Sequence, residues 1–185
     1  MIDAFVGLGS NLGDRLANLA SAVGLLSREP GFALRKVSLA YESEPIGPPQ
    51  PRYLNAVVRI GTLLSPRATL QRLQAVEEQM GRIRRERWGS REIDLDLLLF
   101  GDRLVEETGL RIPHPLLHGR AFALVPLAEI APEAVHPATG LTVRELHDRL
   151  PPAQLRGVVA YRPIREPLPE PEAGEPSPPV LDPAR

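Results

Sequence analysis

The stretch from Ile93 to Phe100, IDLDLLLF, constrains this 185-residue chain more than any other. Side chains of a strand alternate between its faces, so Asp94 and Asp96 leave one face while Ile93, Leu95 and Leu97 leave the other. The fold must then put a core on the leucine side and tolerate two acids on the opposite side. Two carboxylates whose Cα atoms lie roughly 7 Å apart converge on one or two hard cations. Without such neutralisation, carboxylates in an apolar strand are costly, and magnesium with ATP oxygens would supply it. An edge strand with its acids in water and its leucines inside produces the same alternation.

The loop before this strand weighs on the choice. Arg82, Arg84, Arg85, Arg87 and Arg91 cluster within ten residues, with Trp88 among them. Guanidinium groups stay charged and grip phosphate in forks. Cations beside metal-binding carboxylates are the parts of a phosphoryl-transfer site. Trp88 with an arginine can also stack on a base. A solvated basic loop paired with Glu86 and Glu92 is the plainer reading.

A second segment, SEPIGPPQPRYLN at 43–55, combines a proline-stiffened loop with Tyr53 and Asn55 on one face of the next strand. An aromatic plate beside an amide suits a flat heterocycle, although a pair that only packs and caps is commoner. His114, between Pro113 and Pro115, sits in a rigid loop and reads as structural on its own. Phe122 reads as core. GLGSNLG at 7–13 has the wrong glycine spacing for a dinucleotide loop and reads as a strand end with a tight turn. His118, His136 and His147 lack ligand spacing and read as surface residues.

Composition removes several chemistries. The chain has no cysteine, which excludes disulfides, thiolate metal sites and cysteine nucleophiles. Lys36 is the only lysine, in the wrong context for a phosphate-loop lysine. A net charge of -1 gives no global polyanion signal. No apolar run approaches the ~20 residues that span a bilayer, and the first residues lack a signal-peptide pattern. The expectation is a cytoplasmic protein that binds neither membrane nor nucleic acid.

Periodicity gives strands at 2–9, 33–41, 53–64 and 93–100, and helices at 15–28 and 65–80. Asp14 and Ser65 are the predicted helix caps, with Pro66 at the first helical position. A short strand follows Gly101-Asp102, RIPHP at 111–115 reads as a loop, and helices follow at 119–130 and 142–150. The order predicts an α+β protein with a ferredoxin-like β-α-β-β-α-β core, a mostly antiparallel sheet and helices on both faces. Residues 1–162 are expected to form one domain. From Pro163 onward, eight prolines and little apolar content read as an extended tail.

GLGSNLGD, YESEPIGP, YLNAVV, the segment from Arg82 to Phe100, and IPHPLLHGRAFALVPLAEIAP occur in one order and spacing. Together they resemble the 6-hydroxymethyl-7,8-dihydropterin pyrophosphokinase family over residues 2–150. The resemblance implies an ATP-dependent diphosphokinase of folate biosynthesis with an αβα sandwich. It implies two Mg2+ ions on Asp94 and Asp96, bridging ATP and the pterin hydroxyl. It places the pterin between Tyr53 and Phe122, with Asn55 and the segment Ser43, Pro45 and Ile46 reading its edge and Trp88 closing over it. It assigns Gln74, Glu77, Arg82, Arg84, Trp88, Arg91, His114 and Arg120 to ATP, and Arg82 and Arg91 to charge on the transferring group. Ser43 stands where the family usually has Thr, and Arg85-Glu86-Arg87 is one residue shorter than in some members. A monomer is expected. An RNA-binding module and a metal-dependent nuclease are the rival readings, and pterin binding separates both from the first.

Overall fold

The structure, a computed structural model, describes residues 1–81 and 91–165. Arg82, Arg84 and Trp88, with Arg85 and Arg87, lie outside the described residues. So does the tail beyond residue 165.

Strand β1 (Ile2–Ser10) leads into helix α1 (Arg15–Arg28), whose N-cap Asp14 accepts a hydrogen bond from the Ala17 N–H at 3.0 Å. Strands β2 (Phe32–Val37) and β3 (Leu39–Ser43) precede the long β4 (Tyr53–Thr62). Helix α2 (Pro66–Gln79) is capped by Ser65, with Pro66 opening it as expected. Strand β5 (Asp94–Phe100) follows, then a hairpin of β6 (Val105–Glu107) and β7 (Leu110–Ile112). A 3-10 turn at Leu117–Gly119 leads into α3 (Ala121–Ile130). A small hairpin of β8 (Val135–His136) and β9 (Leu141–Thr142), α4 (Val143–Asp148), α5 (Pro152–Arg156) and β10 (Val158–Pro163) complete the fold.

The main sheet runs β10-β3-β4-β1-β5, with β2 also on β4, and every pairing is antiparallel. Alternation puts Ala4, Val6 and Leu8 of β1 on one face with Leu54, Ala56, Val58, Ile60, Leu95 and Leu97. Leu19, Val23 and Leu26 of α1 and Leu73 and Val76 of α2 cover that face. Phe5, Val57, Leu98 and Leu99 face the other way, against Leu124, Leu127 and Ile130 of α3 and Leu146 of α4. Helices therefore lie on both faces of a mostly antiparallel sheet. Ile93, Leu95 and Leu97 enter the core as their alternation required.

Four expectations need correction. The single strand at 33–41 is two strands broken at Ser38. Its N–H donates to the Val57 carbonyl at 3.0 Å, and its hydroxyl accepts the Val57 N–H at 2.9 Å. A side-chain oxygen thus takes one ladder position and shifts the register. Arg111 and Ile112 of the supposed loop are strand, paired to β6. The final helix is followed by α5 and by a further strand, β10, that pairs with β3 and includes Pro163; a proline is tolerated there because the strand is an edge. His136 is buried, packed edge-on to the His118 ring at 6.4 Å, because the β8–β9 hairpin folds its side chain inward. Among the described residues, no helix is long and apolar enough to cross a membrane.

At the sheet end away from Asp94, Asp3 on β1 bonds Arg59 on β4 and Arg35 on β2. The hydrogen bond from Arg59 holds the Asp3 carboxyl below its ordinary value of 3.8, against the opposing effect of burial. A depressed carboxylate stabilises the fold above its unfolded pKa and loses that contribution as pH falls through the folded one. Replacing Asp3 by Asn is expected to cost about 1 kcal/mol at neutral pH, the scale of a partly exposed pair. In urea unfolding that difference should vanish as pH drops below 3.8. A difference that persists in acid would assign the loss to packing instead.

Candidate active site

Beta-sheet register builds the site. Gly9 of β1 pairs with Asn55 of β4 on one side and with Asp94 of β5 on the other. Two residues along, Gly7 pairs with Val57 and with Asp96. Neither glycine has a side chain, so a trough opens between Tyr53 and Asn55 on one strand and the two aspartates on the other. A Cβ at Gly9 would lie 3.6 Å from Asn55 Oδ1 and 3.7 Å from the Tyr53 ring, and one at Gly7 would meet Leu98 at 3.4 Å. The β1–β5 register shifts between Phe5 and Val6, so Leu98 and Leu99 both pack toward α3. Leu98 thereby floors the trough.

This trough is a cavity of about 400 Å³. It gathers Ser43, Ile46, Tyr53, Asn55, Arg91, Asp94, Asp96, His114, Arg120 and Phe122 in its wall. The structure thus brings together ten of the residues singled out above. Pro45, Gln74 and Glu77 are not in the wall. Glu77 is buried on α2, and its Oε1 accepts the Leu95 N–H, between the two aspartates, at 2.7 Å. Glu77 therefore fastens the strand that carries them.

The two ends of the cavity differ in character. At one end Asn55, buried, donates from Nδ2 to the Ser43 hydroxyl at 2.8 Å, which fixes the amide plane and leaves its carbonyl oxygen facing Gly9. Burial raises the Tyr53 hydroxyl above its ordinary value. Phe122 carries the Arg120 guanidinium 5.6 Å from its ring centroid. At the other end Arg91 Nη1 donates to Asp94 Oδ2 at 2.7 Å. Asp96 is pushed up to about 6, first by burial and then by the Asp94 charge, with Arg120 opposing. His114 is lowered by burial and by Arg120 and so is held neutral. Its Nδ1 accepts the Leu116 N–H at 3.4 Å, which leaves the proton on Nε2.

Several residues of the site escaped the sequence reading. Gly7 and Gly9 were legible as two glycines on one face of a strand, a sign of close approach. Gln50 and Glu44 enter the wall from the proline loop. Asn11, buried, had no sequence signal. Its Nδ2 donates to Gln50 Oε1 at 3.0 Å and to the Pro51 carbonyl at 3.3 Å, its Oδ1 accepts the Arg91 N–H at 2.7 Å, and its own N–H donates to the Arg91 carbonyl. It ties the proline loop to the residue that opens onto β5.

Comparison with known proteins decides the family. A family model described as 7,8-dihydro-6-hydroxymethylpterin-pyrophosphokinase matches residues 5–132. The chain belongs to that family. A Synechocystis member, named 2-amino-4-hydroxy-6-hydroxymethyldihydropteridine pyrophosphokinase, is 47% identical over 147 residues, covering 80% of this chain and 75% of its own. A Methylorubrum extorquens pyrophosphokinase of the same name is 43% identical over 159 residues, covering 85% of this chain and 99% of its own. A Plasmodium falciparum HPPK-DHPS crystal structure superposes with a TM-score of 0.65 at 16% identity. It shares the fold over 80% of this chain, which spans 43% of that longer protein.

In this pyrophosphokinase fold the raised Asp96 has a stability consequence. A carboxyl whose folded pKa is raised favours its protonated form, so the cost is absent below 3.8 and complete above about 6. Asp96→Asn should therefore stabilise the ligand-free protein by up to about 3 kcal/mol at neutral pH. Thermal melts at neutral pH and in acid read the difference. A variant no more stable than the parent at neutral pH would refute the cost of holding a buried, ionised Asp96 beside Asp94. Gly9→Val tests whether the trough takes the family's pterin: on that reading the variant folds but binds pterin more weakly, and unchanged pterin affinity by titration excludes the trough.

Proposed function

We propose that the cavity holds a pterin at its Tyr53–Phe122 end and the polyphosphate of ATP at its Asp94–Asp96 end. As a pyrophosphokinase of this family, the chain transfers the pyrophosphoryl group of ATP to 6-hydroxymethyl-7,8-dihydropterin in folate biosynthesis. The observation that carries the site assignment is the opening of both acids into the same cavity as Tyr53, Asn55 and Phe122. A nuclease would not need the second group, and an RNA-binding sheet would not need the first. The sheet order β5-β1-β4-β3, with α1 between β1 and β2 and α2 between β4 and β5, supports the ferredoxin-like reading of the core.

The transfer joins the pterin hydroxymethyl oxygen to the β-phosphorus and breaks that atom's bond to the oxygen bridging to the α-phosphorus, so that AMP leaves and the hydroxyl proton is released to solvent. Such a reaction depends mainly on alignment and on charge stabilisation. Tyr53 and Phe122 present flat faces to a pterin. The Asn55 amide, oriented by Ser43, reads donors and acceptors along the pterin edge. Arg91 and Arg120 supply positive charge at the polyphosphate end, and the Nε2–H of His114 supplies a neutral donor there.

Asp94 and Asp96 would hold Mg2+, with two ions expected. Among the described residues no group of three or more His, Cys, Asp or Glu forms a metal cage. Magnesium commonly takes one or two carboxylates and fills its shell with phosphate oxygens and water, so two acids on one strand face fit it. The upward push on Asp96 comes first from burial and then from the Asp94 charge, and a cation beside the two carboxylates would favour the ionised form. When bound, the metal neutralises the triphosphate and orients the reacting groups. Arg91 is shared with Asp94 by the hydrogen bond between them and becomes available to phosphate when that bond opens.

The test is to mix the protein with Mg2+, ATP and 6-hydroxymethyl-7,8-dihydropterin and to analyse the products. AMP and the pterin diphosphate are expected, with turnover at least roughly 100-fold lower in Asp96→Asn. Phe122→Ala should raise the KM for the pterin about 10-fold while the KM for ATP stays put. ADP in place of AMP would refute pyrophosphoryl transfer, and equal effects on both KM values would refute the division of the cavity.

A further inference from the structure

We propose that Arg15, Glu42, Glu44 and Arg52 form an ion-pair clasp that sets the pterin wall of the cavity, with Arg52 as its positioning residue. The inference rests on the pyrophosphokinase reading above and extends it to side chains outside the cavity's charged end. Strands β3 and β4 pair through Ser43 and Tyr53, and residues 44–52 bridge them without regular structure. That bridge brings Glu44, Ile46 and Gln50 to the cavity. Ile46 is 57% exposed, so little apolar burial holds the bridge in place.

Charge does the holding instead. Arg52, on the returning stem, reaches across the base of the bridge to Glu42 at 3.1 Å and to Glu44 on the outgoing stem. Arg15, in the first turn of α1, binds Glu42 at 2.9 Å and donates to the Arg52 carbonyl at 2.8 Å. Helix α1 is fixed to the sheet by Leu19, Val23 and Leu26. The clasp therefore ties both stems of the bridge to the rigid body of the protein. Burial pushes the Glu42 carboxyl up, but hydrogen bonds from Arg15 and Arg52 outweigh it and hold the group below its ordinary value. Asn11 secures the far side of the bridge through Gln50 and Pro51. With both sides tied, Ile46 and Gln50 are presented before the pterin arrives, and binding avoids the cost of ordering the bridge.

Arg52 is solvent-exposed, so its pairs are weak alone and sensitive to salt, while Arg15–Glu42 is half-buried. Arg52→Ala is expected to raise the KM for the pterin roughly 3- to 10-fold, the range for losing one or two partly exposed pairs. kcat and the KM for ATP should stay within about twofold. In the parent protein the pterin KM should climb with NaCl toward the variant's value, while the variant's stays flat. Arg52→Lys, which keeps the charge but not the fork, should restore part of the loss. An unchanged pterin KM in Arg52→Ala, or a rise that salt does not reproduce and Lys does not relieve, overturns the clasp.

Amide exchange without substrate separates this proposal from the reaction. Arg52→Ala should speed exchange at Ile46, Gly47 and Gln50 and leave β1 unchanged. If the parent makes no pterin diphosphate, the functional reading fails and the exchange result alone decides the clasp. Equal exchange in parent and variant refutes it.

Discussion

Gly9 has Asn55 on one flank and Asp94 on the other, and the site depends on that register. Adjacent strands lie about 4.8 Å apart, so the three-strand span puts a neutral amide and a carboxylate roughly 10 Å apart across a strand with no side chains between them. A slip of one residue along β1 would turn Leu8 into the trough and bury the glycines in the core. The core prevents the slip. Ala4, Val6 and Leu8 are locked among α1, α2 and the leucines of β5, and Phe5 is locked against α3. The apolar packing that stabilises the sheet is thus the same constraint that aligns the two halves of the site.

Those halves obey different physics. At the Tyr53–Phe122 end the buried Asn55–Ser43 pair is neutral and mutually satisfied, and it costs little without a ligand. At the Asp94–Asp96 end burial, and after it the Asp94 charge, holds Asp96 near a pKa of about 6, with Glu77 buried nearby. Arg91 and Arg120 offset this only in part. Such a site suits cations and polyphosphate because two carboxylates and two guanidinium groups open into one cavity. Glu77 ties this end to α2: its carboxylate accepts the Leu95 N–H on the edge strand β5, between the two aspartates.

Local pattern carried much of this into the sequence. Alternation in IDLDLLLF placed the acids and the core leucines on opposite faces, and Tyr53-x-Asn55 marked a shared face. Both follow from a period of two, which needs no partner. What stayed illegible depends on partners distant in sequence. The break at Ser38 arises from a hydroxyl that bonds Val57, nineteen residues on. Strand β10 is mostly exposed and has no buried stripe to announce it, so its pairing with β3 left no mark in the pattern. Asn11 looked like a turn residue, and only the folded chain shows its amide joining Gln50 to Arg91. The family resemblance reached Arg120, His114 and Phe122, whose side chains alone suggested nothing more than structure.

The proline loop illustrates how rigidity and charge divide the work of preorganisation. Pro45, Pro48, Pro49 and Pro51 narrow the conformations open to residues 44–52 before folding, which lowers the entropy lost on ordering them. Prolines cannot say where the stiffened segment should sit, because they remove donors and add no directional contact. Position has to come from the residues around them. Asn11 supplies it on one side with hydrogen bonds in a buried setting, where each bond is dependable. Arg15 and Arg52 supply it on the other with partly exposed pairs that salt weakens. On the proposed reading, this wall is held by buried hydrogen bonds at the edge nearest Arg91 and by salt-sensitive ion pairs at the edge nearest Glu44.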